Sequence, residues 1–377
     1  MIDDTASQAP QRRTLRSVLA VLISLAVALL LAEGLVRLAD ALGVINLAPT
    51  LADLPTPDTL EDQVDVGAAS GSVGPLYVGD PLLHHRMAAN WSGFFPEEIV
   101  QEVGRSQVPI RTNSLGLRSP EIALAKPAGT FRILVVGDSV TFGWSLRGED
   151  TYASQLASLL ATLRPNQRVE VINAGVSGYG TWQELRWLQE IGLGLDPDVI
   201  VVQAHLNDAA DNLWGTLGWQ QNTDTWLVRT SMLARLVSRV LSSRQIGSSE
   251  APCTTDWKVD ADQVCWQRTE ELLSDIQQAT SPEGIALVLL PSPMRWQVDA
   301  EVRDPRAWVD ETRYQDVLAE YGRRNHWIVV DPLPAIRAAT SANGQSLFLD
   351  VGHPDEAGQR ILAQELYSAL GQSGLLP

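Results

Sequence analysis

Positive charge is scarce in this chain: 28 Lys and Arg stand against 45 Asp and Glu, a formal net charge of −17 over 377 residues. Such a balance argues against nucleic acid or any other polyanion as main partner. Cysteine is nearly absent, with only Cys253 and Cys265, and there are five histidines. No Cys/His cluster has zinc spacing, no P-loop could cradle a phosphate, and no Gly-x-Gly-x-x-Gly follows a strand. What remains is chemistry that needs no tightly held cofactor, and neither cofactor nor metal is expected.

Apolar residues make up 45% of the chain, which rules out wholesale disorder, and the length suits two domains or one large α/β domain with attachments. One apolar run stands out. Residues 17–38, from Ser17-Val-Leu-Ala-Val-Leu-Ile through Ala28-Leu-Leu-Leu-Ala32, are almost free of polar side chains. About 20 residues at about 1.5 Å each span a hydrocarbon core. Arg12, Arg13 and Arg16 precede the run, whereas Asp53, Asp58, Glu61, Asp62 and Asp65 follow it. The positive-inside rule then gives a cytoplasmic tail over 1–16, a single transmembrane helix over 17–38, and a body facing the periplasm or cell exterior. Glu33 and Arg37, four apart, can pair near the outer interface. A cleaved signal peptide is the rival, since Ala39-Asp40-Ala41 resembles a cleavage site and Arg12-Arg13 a twin-arginine signal. The run is longer than a usual signal core and carries Glu33 and Arg37 ahead of the cut, so a retained anchor is the expectation.

Residues 39–75, rich in Pro, Gly, Ser, Ala and Asp, read as a linker. Residues 76–130 show no helical period, and Val108 to Arg118 suggests strand, turn, strand within a small β-rich lead-in. From 131 to 377 strands alternate with helices. The apolar runs Arg132–Val136, Val169–Ile172, Val199–Gln203, Ile285–Leu290 and Trp327–Val330 predict about five strands, with helices at Tyr152–Leu163, Thr181–Ile191, Thr269–Ala279 and Ala357–Leu370. Continuous apolar strands between helices imply an α/β fold: a doubly wound, flavodoxin-like parallel sheet with its sites at the strands' carboxyl ends. Residues 209–268 break the alternation and read as a Trp-rich insertion forming a partial lid. Trp214, Trp219, Trp226, Trp257 and Trp266 either stack on a sugar or acyl group or make the insertion's own core. Outside the cytoplasm Cys253 and Cys265 can close a short disulfide loop worth about 3 kcal/mol; two free thiols are the alternative.

Four segments fall at strand ends. Gly137-Asp138-Ser139 follows the first strand, where backbone N–H groups and a helix start favour negative charge; Ser139 also suits a plain helix cap. Asn173-Ala-Gly-Val-Ser-Gly178 follows the second, His205-Leu-Asn207-Asp208 the third, and Asp350-Val-Gly-His353-Pro354 precedes the last helix. A serine hydroxyl attacks well only when a base takes its proton, and an imidazole serves best when a carboxylate holds its tautomer. Asp350, three residues before His353, can curl back to do so. The Ser139 N–H, a glycine N–H such as Gly178 and the Asn207 amide can bind an oxyanion. Gly175 competes with Gly178 for that role, and the spacing after Asn173 favours Gly178. Asp138 and Asp208 read as turn-holding, His326 as a structural histidine at a strand start, and His84-His85 as a pair lacking a third metal ligand.

These four blocks, in this order, resemble the SGNH hydrolase superfamily, also called GDSL esterases and lipases, across residues 131–377. The resemblance implies a flavodoxin-like sheet and hydrolysis of an acyl ester, with O-acetyl groups of a glycan as one candidate. It implies Ser139 as nucleophile, Asp350 and His353 as its dyad, and Gly178 and Asn207 as oxyanion donors beside the Ser139 N–H. The lead-in Asn113-Ser-Leu-Gly-Leu-Arg118 is similar to that of membrane-tethered envelope members. One departure is His205, where the third block usually has Gly; it narrows the site or adds a polar contact. An O-acyltransferase acting on an envelope polysaccharide and a non-catalytic glycan-binding protein are the other two readings.

Overall fold

The computed structural model describes residues 24, 27–39, 76–80, 82–209, 212, 233, 264–299, 302 and 313–377. The chain divides into two compact units, residues 1–53 with 217–250, and residues 54–216 with 251–377. In the first, residues 27–39 are helical. There Arg37 Nε donates to Glu33 Oε1 at 2.8 Å, the pairing their spacing predicts. Leu30, Leu31 and Leu35 are 72%, 65% and 68% exposed on this helix. No described helix is long and apolar enough to cross a membrane; residues 17–23, 25 and 26 of the expected span lie outside the described ones.

The second unit is built on a five-stranded, all-parallel sheet. Its strands are β5 (Thr130–Val136), β6 (Arg168–Asn173), β7 (Val199–Ala204), β8 (Ala286–Pro291) and β9 (Ile328–Val329), in the order β6-β5-β7-β8-β9. With the first strand one place in from the edge, this is the flavodoxin-like order, with its switch point at β5. Side chains alternate across each strand. Ile133, Val135, Val199, Val201, Val288 and Leu290 therefore share one face, where they pack with residues of α3 (Tyr152–Leu163), α7 (Leu333–Asn343) and α8 (Glu356–Gln372). Helices α4 (Thr181–Trp187), α5 (Val264–Thr280) and α6 (Arg313–Asn325) belong to the other layer. Thr151 caps α3 by accepting the Ser154 N–H, and Asp355 caps α8 by accepting those of Ala357 and Gly358. The helix expected over Thr181–Ile191 stops early: α4 passes into a wide turn at Leu188–Gly192 and a tight one at Leu193–Leu195, where Gly192 and Gly194 are poor helix formers.

At the sheet's amino end Arg132 is fully buried. It pairs with Glu170 at 2.8 Å and donates to the Ala123 and Leu195 carbonyls, while its N–H donates to Asp198 Oδ2 at 2.7 Å. At the carboxyl end the register is level. Val135 lies opposite Asn173 on one side and Val201 on the other, so the segments after β5, β6 and β7 emerge together.

The lead-in holds two antiparallel pairs, β1 (Tyr77–Asp80) with β2 (His84–Met87) and β3 (Ser92–Phe94) with β4 (Pro109–Arg111), and a short helix α1 (Glu97–Glu102). The strand-turn-strand expected over 108–118 is half present. β4 pairs with β3, and residues after Asn113 make no strand, because Asn113 Oδ1 accepts the N–H groups of Leu115 and Leu117 and winds the chain into a turn. The turn delivers Arg118 into the interior, 4% exposed. Its guanidinium donates to the carbonyls of Phe142 (2.8 Å), Gly143 (2.7 Å), Leu146 and Pro109 (3.2 Å) and lies over the Phe95 and Phe142 rings. Burial lowers its pKa to about 10, so it stays charged.

Of the Trp-rich insertion, Trp266 is buried at 2% exposure and packs on Tyr314, making it core and not a stacking platform. Trp214, Trp219, Trp226, Trp257 and Cys253 lie outside the described residues, and with Cys253 the Cys253–Cys265 bridge. His326 is exposed in a left-handed turn (φ 59°) after α6 instead of starting the strand.

Because the buried Arg118 donates to four backbone carbonyls, Arg118→Met is expected to destabilise the protein by about 3–5 kcal/mol in urea unfolding. Arg118→Lys should recover less than half of that, since a point ammonium cannot serve four acceptors. A loss below about 1 kcal/mol for either variant would contradict this role.

Candidate active site

The nucleophile candidate stands where the sequence places it, at the end of β5, but its surroundings differ from a simple helix cap. The cap is Asp138, whose Oδ1 accepts the Val140 N–H at 2.9 Å. Ser139 is the first residue of α2 (Ser139–Phe142), which ends at Gly143 in the left-handed region. Four residues carry little macrodipole. What the turn offers is an uncommitted Ser139 N–H, which no hydrogen bond among the described residues takes.

Ser139 Oγ lies 2.8 Å from His353 Nε2, and His353 Nδ1 lies 2.7 Å from Asp350 Oδ2. Asp350 Oδ1 accepts the N–H groups of Gly352 (2.9 Å) and His353 (2.8 Å), so the carboxylate curls back on its own loop. Burial pushes the Asp350 pKa up, yet the His353 charge and these hydrogen bonds outweigh it and hold it at about 2. An ionised Asp350 can only accept, so Nδ1 carries the ring proton and Nε2 is left to accept from the serine hydroxyl. The Trp144 ring lies near-parallel to the imidazole, with centroids 5.9 Å apart.

The second block separates its two glycines. The Gly175 N–H is taken by Asn173 Oδ1 at 3.0 Å, and a Cβ on Gly175 would meet Phe142 N at 2.4 Å. Gly175 thus serves close packing, and Asn173 Nδ2 adds a bond to the Thr141 carbonyl at 2.7 Å. Gly178, with φ 78°, has an N–H that no described residue accepts. In the third block His205 adds a polar contact: its Nδ1 meets Asn207 Oδ1, so the Asn207 Nδ2 group is the end left to donate. His205 Nδ1 also lies 3.6 Å from Asp138 Oδ2, and the His205 N–H donates to Asp208 Oδ2 at 2.8 Å. The carboxylates of Asp138 and Asp208 hold turns, as the sequence suggests.

Beneath the serine lies a polar floor the sequence did not announce. Gln203 Oε1 accepts from the Asp138 N–H (3.2 Å) and the Thr141 hydroxyl (3.0 Å), and Thr141 Oγ1 meets Tyr152 Oη at 2.7 Å. Glu184 is 1% exposed, and neither carboxyl oxygen has a partner among the described residues. Burial first, and the Asp138 charge second, push its pKa well above the ordinary value. No motif in the sequence singles out Glu184; only its burial on α4 reveals it.

The geometry can carry acyl transfer: a hydroxyl in contact with an oriented base, and three donors without other acceptors among the described residues at the same strand ends. A family model described as GDSL-like lipase/acylhydrolase matches residues 135–361. No curated protein matches the chain in sequence. Among solved structures, the chain is similar to LAE5, an α/β hydrolase from the metagenome of Lake Arreo, at 18% identity and TM-score 0.43, covering 64% of this chain and 95% of that one. It is also similar to a variant of the acetylxylan esterase Axe2 of Geobacillus stearothermophilus, at 18% identity and TM-score 0.42, covering 64% and 94%. The acetyl xylan esterase AlAXEase is 16% identical, with TM-score 0.43 and coverage of 64% and 100%.

Glu184 makes stability depend on pH. Its folded-state pKa is raised, so its contribution is full below the ordinary carboxyl range and is lost as pH climbs toward the folded value. Glu184→Gln is therefore expected to raise the melting temperature over wild type by a margin that widens as pH rises from the ordinary carboxyl range upward. A margin that stays flat over that rise would contradict a buried, protonated Glu184.

Proposed function

Because the chain belongs to the GDSL-like lipase/acylhydrolase family, and with it to the carboxylic ester hydrolases, we propose that Ser139 attacks an acyl ester and that His353 and Asp350 activate it. The observation that carries this reading is the continuous chain of contacts from Ser139 Oγ through His353 to Asp350, 2.8 and 2.7 Å long. His353 Nε2 takes the serine proton as Oγ bonds to the carbonyl carbon. The carbonyl oxygen becomes an oxyanion, held by the N–H groups of Ser139 and Gly178 and by Asn207 Nδ2. The imidazolium, steadied by the Asp350 carboxylate, then protonates the departing alkoxide. Water repeats the cycle on the acyl-serine: His353 takes its proton, the second oxyanion collapses, and Ser139 leaves with the proton returned.

The acyl group is small in this reading. Ser139 and His353 are only 8% and 6% exposed, which favours a compact acyl group over a bulky one. O-acetyl on a glycan carries such a group. The protein works from the outer face of the cytoplasmic membrane, a placement supported by the apolar run 17–38, the arginines before it and the exposed leucines of the helix at 27–39.

Hydrolysis of p-nitrophenyl acetate by the full-length protein tests the assignment. Ser139→Ala is expected to lower kcat on the order of 10⁶-fold, and Asp350→Asn on the order of 10⁴-fold by freeing the wrong imidazole tautomer. Ser139→Ala turning over at the wild-type rate would end the nucleophile reading.

A further inference from the structure

Gly178 donates to an oxyanion only if its peptide faces the right way, and the local chain does not decide that alone. Val176 to Tyr179 form a β-turn closed by the Tyr179 N–H on the Val176 carbonyl at 3.1 Å. The peptide between Ser177 and Gly178 is the central one of that turn. In passing between type II and type I arrangements, this peptide flips and exchanges the sides of its C=O and N–H. Glycine at the third position accepts either state. The observed φ of 78° is the type II state.

An outside group holds it there. His85 Nε2 lies 2.9 Å from the Ser177 carbonyl. A carbonyl can only accept, so Nε2 carries the proton. The C=O and N–H of one trans peptide point in opposite directions, and fixing the Ser177 C=O on His85 turns the Gly178 N–H away from the hairpin. We propose that His85 is a positioning residue of the oxyanion hole, donating from Nε2 to Ser177 so that the Gly178 N–H stays directed at the substrate carbonyl oxygen. This rests on the reading of Gly178 as an oxyanion donor and names a residue that controls it.

His85 is itself braced. It sits on β2, paired with Gly79 of β1. The Tyr179 hydroxyl donates to the His85 carbonyl at 2.8 Å, and Gln183 Nε2 donates to the Leu83 carbonyl at 3.0 Å. The imidazole meets Tyr77 and Tyr179 edge-on at 5.5 and 5.3 Å. Burial lowers its pKa against the opposing pull of the Ser177 carbonyl and Asp80, which favours the neutral ring. The hairpin and the turn are thus tied at three points across about 90 residues, from His85, Tyr179 and Gln183. The hairpin precedes the segment matched by the family model, which begins at residue 135. This chain therefore supplies the brace from outside that region.

The test compares His85→Phe, which keeps an aromatic ring but no donor, with His85→Gln, whose amide can donate to the same carbonyl. kcat is referred to active sites titrated to completion with a fluorophosphonate, so unfolded protein does not count. His85→Phe is expected to lose about 10- to 100-fold in kcat with KM within about 3-fold, and His85→Gln to regain most of it. Wild-type kcat per site in His85→Phe, or a His85→Gln as slow as His85→Phe, overturns the proposal. Should His85→Phe fail to fold, nitrogen-15 NMR of the wild-type histidines decides: an Nε2–H tautomer at His85 supports the proposal, and an Nδ1–H tautomer overturns it. Ser139→Ala runs alongside; if it stays active, the nucleophile assignment fails, a result distinct from loss of the His85 effect.

Discussion

The contact between Ser139 Oγ and His353 Nε2 joins residues 214 positions apart, and most of the second unit is arranged so that this distance closes. One partner is fixed by the sheet: Ser139 leaves β5 where β6, β5 and β7 end level. The other is fixed by a loop held independently of the nucleophile. The Leu349 N–H bonds the His353 carbonyl at 2.8 Å, the Arg295 N–H bonds that of Val351 at 2.8 Å, and Asp355 caps α8 immediately after. Gln359 then ties α8 back to the serine turn, accepting the Tyr152 N–H and donating to the Val140 carbonyl. Holding reacting groups in register in this way is where much of an acyl-transfer enzyme's rate comes from.

The lead-in is part of the same machine. Arg118 gathers the carbonyls that end α2, and His85 meets the Ser177 carbonyl in the second block, so the turns that hold Ser139 and Gly178 are both tied to residues before β5. Phe95 completes the brace by meeting Phe142 and Trp144 edge-on, and Trp144 in turn lies along His353. The cost of this polar architecture shows at Glu184, a carboxyl kept buried beside Asp138 without a partner among the described residues.

The sheet was legible in the sequence because its strands are apolar on both faces, and runs such as Ile-Leu-Val-Val or Val-Ile-Val-Val read only one way. The contact chain from Ser139 through His353 to Asp350 was legible for a different reason: these residues occur in short motifs that carry their own turn chemistry. What stayed hidden depends on tertiary partners. Arg118, His85 and Glu184 are ordinary polar letters until the fold buries them, and Trp144 acquires meaning only from the ring beside it. The second strand expected after the turn in 108–118 does not form, because the Asn113 side chain competes for the N–H groups a strand would have used. Spacing after Asn173 already favours Gly178 over Gly175, and the structure supplies the reason, since the Gly175 N–H is committed to Asn173 Oδ1.

The central claim is that a covalent acyl-serine forms at the end of β5. Rapid acid quench of the full-length protein during turnover of p-nitrophenyl acetate, followed by peptide mass mapping, tests it most directly. The account predicts an acetyl mass increment on the peptide containing Ser139, absent after the substrate is exhausted. An increment confined to another residue, or steady turnover with no adduct on Ser139 when a burst of p-nitrophenol shows that an acyl-enzyme has accumulated, would contradict it.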